Sequence, residues 1–229
     1  MRLLSLLLVG LIYSLAGLAY NVANMLRPQG PLGIALDYSM VSDVPQAVTD
    51  NTVIRPVLYS SHLHMKNPVS EITDAQLWQL AFDAYAELGV DATQYGWPVA
   101  LRNRWPNAMS VLAWDNELIL SSSLKGSSYT YEFTNSPVKE SLDICQAAWT
   151  SMGPANGNPE HHTEGKCGEP LAVHQYYMMD TIPLRDRHAR IGTIVWNPVA
   201  QQMQQRDPCG DQNARIVSQR RDPPQHAEE

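Results

Sequence analysis

The chain has 229 residues, 44% of them hydrophobic and 17% charged, enough to bury one sizeable core and a better match to one domain than to two. Its formal net charge of −7 repels phosphate backbones, so broad electrostatic binding to DNA or RNA is not the default reading. Arg185, Arg187, Arg190, Arg206, Arg215, Arg220 and Arg221 load the last quarter with guanidinium groups, for which a solvated face is the simpler account than a basic patch. Three cysteines, Cys145, Cys167 and Cys209, allow at most one disulfide within the chain and exclude a disulfide scaffold.

Arg2, the apolar run Leu3 to Leu15 and the small residues Ala16-Gly17-Leu18-Ala19 read as a signal peptide over 1–19, cut after Ala19. The expected mature protein is secreted and extracellular, with no stable membrane association after cleavage. The alternative is an uncleaved anchor, since Leu3 to Tyr20 approaches spanning length, but no basic stop-transfer flank follows. Residues 20–70, rich in Pro, Ser and Asn, read as an extended lead-in with short β-like pieces at Thr52-Val53-Ile54 and Val57-Leu58-Tyr59. His62 and His64 stand two apart there; a strand would put both rings on one face, a pattern commoner on surface strands than at metal sites.

Ser70 or Thr73 can cap a helix from Asp74 to Leu88, in which Leu77, Leu80, Ala81, Ala84, Tyr85 and Leu88 recur at helical spacing and Gly89 is the expected stop. Ala108 to Trp114, Asp115-Asn116 and Glu117 to Leu124 form a hairpin signature. A second helix is predicted over Val138 to Met152, with Leu142, Cys145, Ala148, Trp149 and Met152 on one stripe, followed by a loop to Lys166. Cys167 opens a third helix through Leu171 to Met179, with Pro170 early in it. Arg190 to Asn197 is the strongest strand, apolar enough to be buried and central, and a last short helix is expected near Gly210 to Gln219. The order helix, hairpin, helix, helix, strand, helix fits an α/β fold built as a three-layer α/β/α sandwich over 71–221, ahead of a disordered tail at 222–229.

The chemistry-bearing constellation is Cys167-Gly168-Glu169 at one helix start and, after a strand, Pro208-Cys209-Gly210-Asp211-Gln212 at the next. It resembles the signature of the zinc-dependent cytidine and nucleic-acid deaminases, His/Cys-x-Glu followed by Pro-Cys-x-x-Cys, and looks most like their secreted, toxin-like Cys-Gly-Glu type. The resemblance covers roughly Asp74 to Gln219 and implies a cytidine deaminase-like fold. It also implies zinc gripped by thiolates at two helix N-termini, with Glu169 as the catalytic proton shuttle rather than a ligand. Cys167 and Cys209 are then metal ligands. The family's third ligand position is Gln212, a poor zinc ligand, with Asp211 the nearest anionic substitute. Little chain remains after this helix for the later strands of the longer deaminases.

Two functions follow from the resemblance. One is hydrolytic removal of the exocyclic amine of cytosine or adenine, in a nucleoside or single-stranded nucleic acid, by zinc-activated water. The other is an inactive deaminase-fold effector or binding protein in which Cys167 and Cys209 form a disulfide and Glu169 serves only the helix start. His161, His162 and Glu164, just before the motif, read as solvated loop residues before they read as substrate or metal contacts, and His174 lies about 10 Å along the helix from Cys167, too far to share a zinc ion. Trp97, Trp105, Trp114 and Trp196 are candidates to stack a base, with core packing the simpler role. No nucleophile elbow, His-Glu-x-x-His helix or phosphate-binding loop is present.

Overall fold

The computed structural model describes residues 25–38, 47–49, 52–54, 57–95, 105–125, 136–151 and 165–206. In chain order their elements are β1 (Ala35–Leu36), β2 (Ala47–Thr49), β3 (Thr52–Ile54), β4 (Tyr59–His64), α1 (Asp74–Gln94), β5 (Ala108–Trp114), β6 (Glu117–Ser122), α2 (Pro137–Ser151), α3 (Gly168–Met179), β7 (Arg190–Asn197) and β8 (Gln202–Arg206). The fold is mixed α/β: β2 and β3 pair with each other, and six strands form one sheet in the order β1-β4-β6-β5-β7-β8, every neighbouring pair antiparallel.

Alternation along the strands assigns the two faces. Met109, Val111 and Ala113 of β5, Leu118 and Leu120 of β6 and Ile194 of β7 form one core with Leu77, Ala81, Ala84, Tyr85 and Leu88 of α1. Their strand neighbours Leu112, Trp114 and Ile119 point the other way and pack with Ala172 and Tyr176 of α3. Helices thus cover both faces of the sheet. None among the described residues is long and apolar enough to cross a membrane; the expected leader, 1–19, lies outside them.

The expected hairpin forms around Asp115, whose positive φ of 44° suits the tight turn, with Trp114 paired to Glu117. Thr73, one of the two expected caps, closes a capping box with Gln76: Gln76 N–H donates to Thr73 Oγ1 and Thr73 N–H to Gln76 Oε1. The expected stop at Gly89 is corrected, because α1 runs on to Gln94. The glycine serves close packing instead: a Cβ there would stand 3.1 Å from the Trp105 ring, itself buried.

The lead-in expectation is also revised. β4 pairs along its length with β6, and β1 pairs with β4, so part of 20–70 belongs to the main sheet. The segment before it is pinned to α1 by Glu87, which accepts from Leu32 N–H (2.9 Å), and by Tyr95 OH, which accepts from Leu26 N–H (3.1 Å). The second, third and strand predictions at Val138–Met152, Leu171–Met179 and Arg190–Asn197 correspond to α2, α3 and β7. β8 was not anticipated. It folds back after Asn197, whose side-chain Oδ1 accepts from Val199 and Ala200 N–H. The helix expected near Gly210 to Gln219 and the tail at 222–229 lie outside the described residues.

Candidate active site

Helix α3 carries the Cys-Gly-Glu motif onto the middle of the sheet. Cys167 is its half-buried N-cap, in extended conformation, and its side chain makes no capping hydrogen bond. Gly168 is the first helical residue and sits hard against the strands: a Cβ there would lie 2.6 Å from Ser110 Oγ and 2.8 Å from the Ser121 carbonyl oxygen. Only glycine fits that approach. Glu169, next in the first turn, is 8% exposed, near the positive end of the helix dipole.

Beneath this helix start lies a row of small hydroxyl side chains. Ser110 pairs in register with Ser121 on one side and Thr193 on the other, placing all three on the α3 face across β6, β5 and β7, and all are buried. Ser110 Oγ and Thr193 Oγ1 are 2.9 Å apart, and Gln175 Nε2 of α3 donates to Ser121 Oγ at 3.2 Å. Each hydroxyl thereby finds a partner within the layer, which is what lets polar side chains stay buried there. The row also keeps the side chains low enough for the helix to descend onto the sheet.

The surrounding chain fixes the approach. Leu124 N–H donates to the Lys166 carbonyl, tying the residue before Cys167 to the segment after β6. Lys125, next in that segment, has its pKa lowered by burial and then by the nearby Lys166 charge, so two ammonium groups stand at this end of the helix. His174, two turns into α3, is buried and shares a 3.0 Å hydrogen bond with Ser136, whose Oγ accepts from Val138 N–H at the start of α2; burial lowers its pKa. It is a packed histidine linking the two helices.

Comparison with protein-family models, with curated proteins and with solved structures returned no match.

Of the expected site residues, Cys167 and Glu169 come together at the α3 N-terminus, while Cys209, Asp211 and Gln212 lie outside the described residues, as do His161, His162, Glu164 and Trp97. Trp105 and Trp114 are each 5% exposed and belong to the cores rather than to a stacking surface; Trp196 is half-buried on β7. Among the described residues no three His, Cys, Asp or Glu side chains are arranged around a common cation position, and of the four expected ligands that statement covers Cys167 alone. Sequence reasoning missed the Ser110–Ser121–Thr193 row. The Ser121-Ser122-Ser123 run was its only visible signal.

Proposed function

We propose that the chain is a cytidine deaminase-like three-layer α/β/α protein that hydrolyses the exocyclic amine of a cytosine or adenine base, with Glu169 as the proton carrier. The observation that carries this reading is the seat of the motif: Cys167 caps, and Glu169 is buried in, the first turn of a helix pressed by Gly168 onto the central strands β5 and β6. An α1–hairpin–α3–β7 order with the motif at that point is what the resemblance implies.

What supports zinc is a cysteine at a helix N-terminus, where a thiolate is favoured, with a carboxylate two residues on that would stand beside the metal rather than on it. Zinc held there would supply a water that ionises near neutral pH. Glu169 would carry two protons in turn, the first from the attacking water to the ring nitrogen beside the attacked carbon, the second from the newly added hydroxyl to the departing amine. The balance is one water consumed, one C–O bond formed, one C–N bond broken and one ammonia released. Burial of Glu169 keeps bulk water from competing for that proton. Lys125 and Lys166 at the same end favour a substrate carrying phosphate, whether nucleotide or single strand.

The second reading, an inactive descendant, is favoured by Gln212 at the third ligand position. Assays on the mature protein separate the two. Deamination predicts about one zinc per chain, ammonia release from a cytosine or adenine substrate, and loss of about 10²- to 10⁴-fold in rate for Glu169→Gln with zinc retained. Ammonia release unchanged by Glu169→Gln would sink the catalytic assignment. Absence of zinc, with a thiol count that finds only Cys145, would establish the disulfide-bonded binding protein. Gln212→Cys then reports on the geometry, because an intact site gains zinc affinity when a thiolate replaces the amide.

A further inference from the structure

We propose that the open edge of β8 pairs with the same edge of a second copy of this chain, antiparallel and about a two-fold axis at Gln204, joining two six-stranded sheets into one. The cysteine motif plays no part in this contact.

The direction of the backbone groups along β8 follows from its neighbours. Trp196 N–H donates to the Asn107 carbonyl at 2.7 Å, so at Trp196 the backbone of β7 faces the β5 side. Successive residues of a strand face opposite ways, and Thr193, Val195 and Asn197 therefore turn their N–H and C=O groups toward β8. Their register partners there are Arg206, Gln204 and Gln202. Met203 and Gln205, which alternate with these, point N–H and C=O away from β7, where no strand among the described residues meets them. The edge thus offers two donors and two acceptors, placed symmetrically about Gln204.

That symmetry selects a second copy as the occupant. With the axis at Gln204, Met203 of each copy faces Gln205 of the other, and the two pairs exchange four backbone hydrogen bonds with none left over. Gln202 of each copy faces Arg206 of the other, which sets the two guanidinium groups about 14 Å apart along the strands, beyond the screening length of about 8–10 Å. The strand carries no other charge, so two chains of net charge −7 meet here without local repulsion. On the axis, Gln204 Oε1 accepts from Asn197 Nδ2 at 2.8 Å, which orients the amide and leaves Nε2 to donate to its counterpart. Gln202–Arg206 also lacks the proline or lysine that closes many edges, and its five register pairs with β7 run without a bulge. Met203, half-buried against the α1 core, supplies apolar cover beside the new bonds. One five-residue strand from each copy makes a contact smaller than the roughly 1,200 Å² of stable complexes, so the dimer is weak, with a dissociation constant of about 10–100 μM.

Sedimentation equilibrium of the full mature chain, over about 5–500 μM to bracket that constant, tests this alongside Gln204→Lys, Gln204→Glu and Gln205→Pro. The expected result is reversible dimerisation of the wild type, at least about fivefold weaker in each Gln204 variant alone, where like charges meet on the axis, and restored when the two variants are mixed. Gln205→Pro removes one outward N–H from each copy, two of the four hydrogen bonds, without touching the β7 ladder, and should leave a monomer. Gln204 and Gln205 are exposed, so these changes spare the core, and circular dichroism checks that each variant folds. A wild type that stays monomeric at about 500 μM would overturn the proposal and leave the edge to the chain's own residues after Arg206 or to an extended peptide. A dimer that Gln205→Pro retains, or lysine and glutamate variants that fail to pair when mixed, would overturn it as well.

Discussion

Asp91, on the buried side of α1, gives the fold a calculable pH dependence. It is 1% exposed, and one of its oxygens, Oδ2, has no hydrogen-bond partner. Leu36 N–H and Gln94 Nε2 donate to the carboxylate, the latter at 2.8 Å, but burial outweighs them and raises its pKa from 3.8 to about 6. Because the folded state holds the proton more tightly, the stabilisation linked to it is fully present below about pH 3.8 and is lost as pH rises through about 6. At 1.36 kcal/mol per unit, that loss is about 3 kcal/mol by pH 7. Asp91→Asn cannot titrate, and whatever its amide costs in the same pocket is independent of pH. Urea unfolding of both proteins at intervals from pH 4 to pH 7.5 isolates the contribution, since the other carboxylates cancel in the difference. The wild type should lose about 2.5 kcal/mol relative to Asp91→Asn across that window, mostly between pH 4 and 6. Parallel stability profiles would refute the buried-carboxylate argument and imply that water or rearrangement solvates Asp91.

Two further substitutions test the packing that positions the motif. Gly168→Ala should lower stability by about 1–3 kcal/mol, despite alanine's better helix propensity, because its Cβ meets Ser110 and the Ser121 backbone; a variant as stable as wild type in thermal unfolding would deny the close approach. Thr73→Ala removes one arm of the α1 capping box and should cost about 1 kcal/mol, with an unchanged melting temperature the contrary result.

How much of this was legible in the chain depends on whether the signal was local. The hairpin was, since Asp115-Asn116 separates two β-rich runs; so was α1, whose apolar period is strong. Its end was not, because Gly89 satisfies a local rule for stopping a helix while actually making room for Trp105, sixteen residues on. β8, Gln-Met-Gln-Gln-Arg, lies at the sheet edge with its side chains mostly exposed and so lacks any apolar pattern to betray it. β4 reads Tyr-Ser-Ser-His-Leu-His, too polar to announce a strand of the main sheet. The same division holds at the candidate site: Cys-Gly-Glu is a spacing within one segment, whereas the Ser110–Ser121–Thr193 row is a property of strand register.

That hydroxyl row gives α3 an unusual environment, and the environment bears on function. Gly168, Glu169, Pro170, Leu171 and Ala172 are buried without a break, so the helix start is enclosed on all sides rather than laid on the sheet by one apolar stripe. Burying a carboxylate in such a place costs stability that an apolar residue of similar size would not. Packing explains the glycine before Glu169, and the sheet explains the serines below it, but neither calls for an acid. An acid enclosed at a helix N-terminus beside a cysteine is what the proposed proton transfer would use, which is why that proposal rests on Glu169 more than on any other single residue.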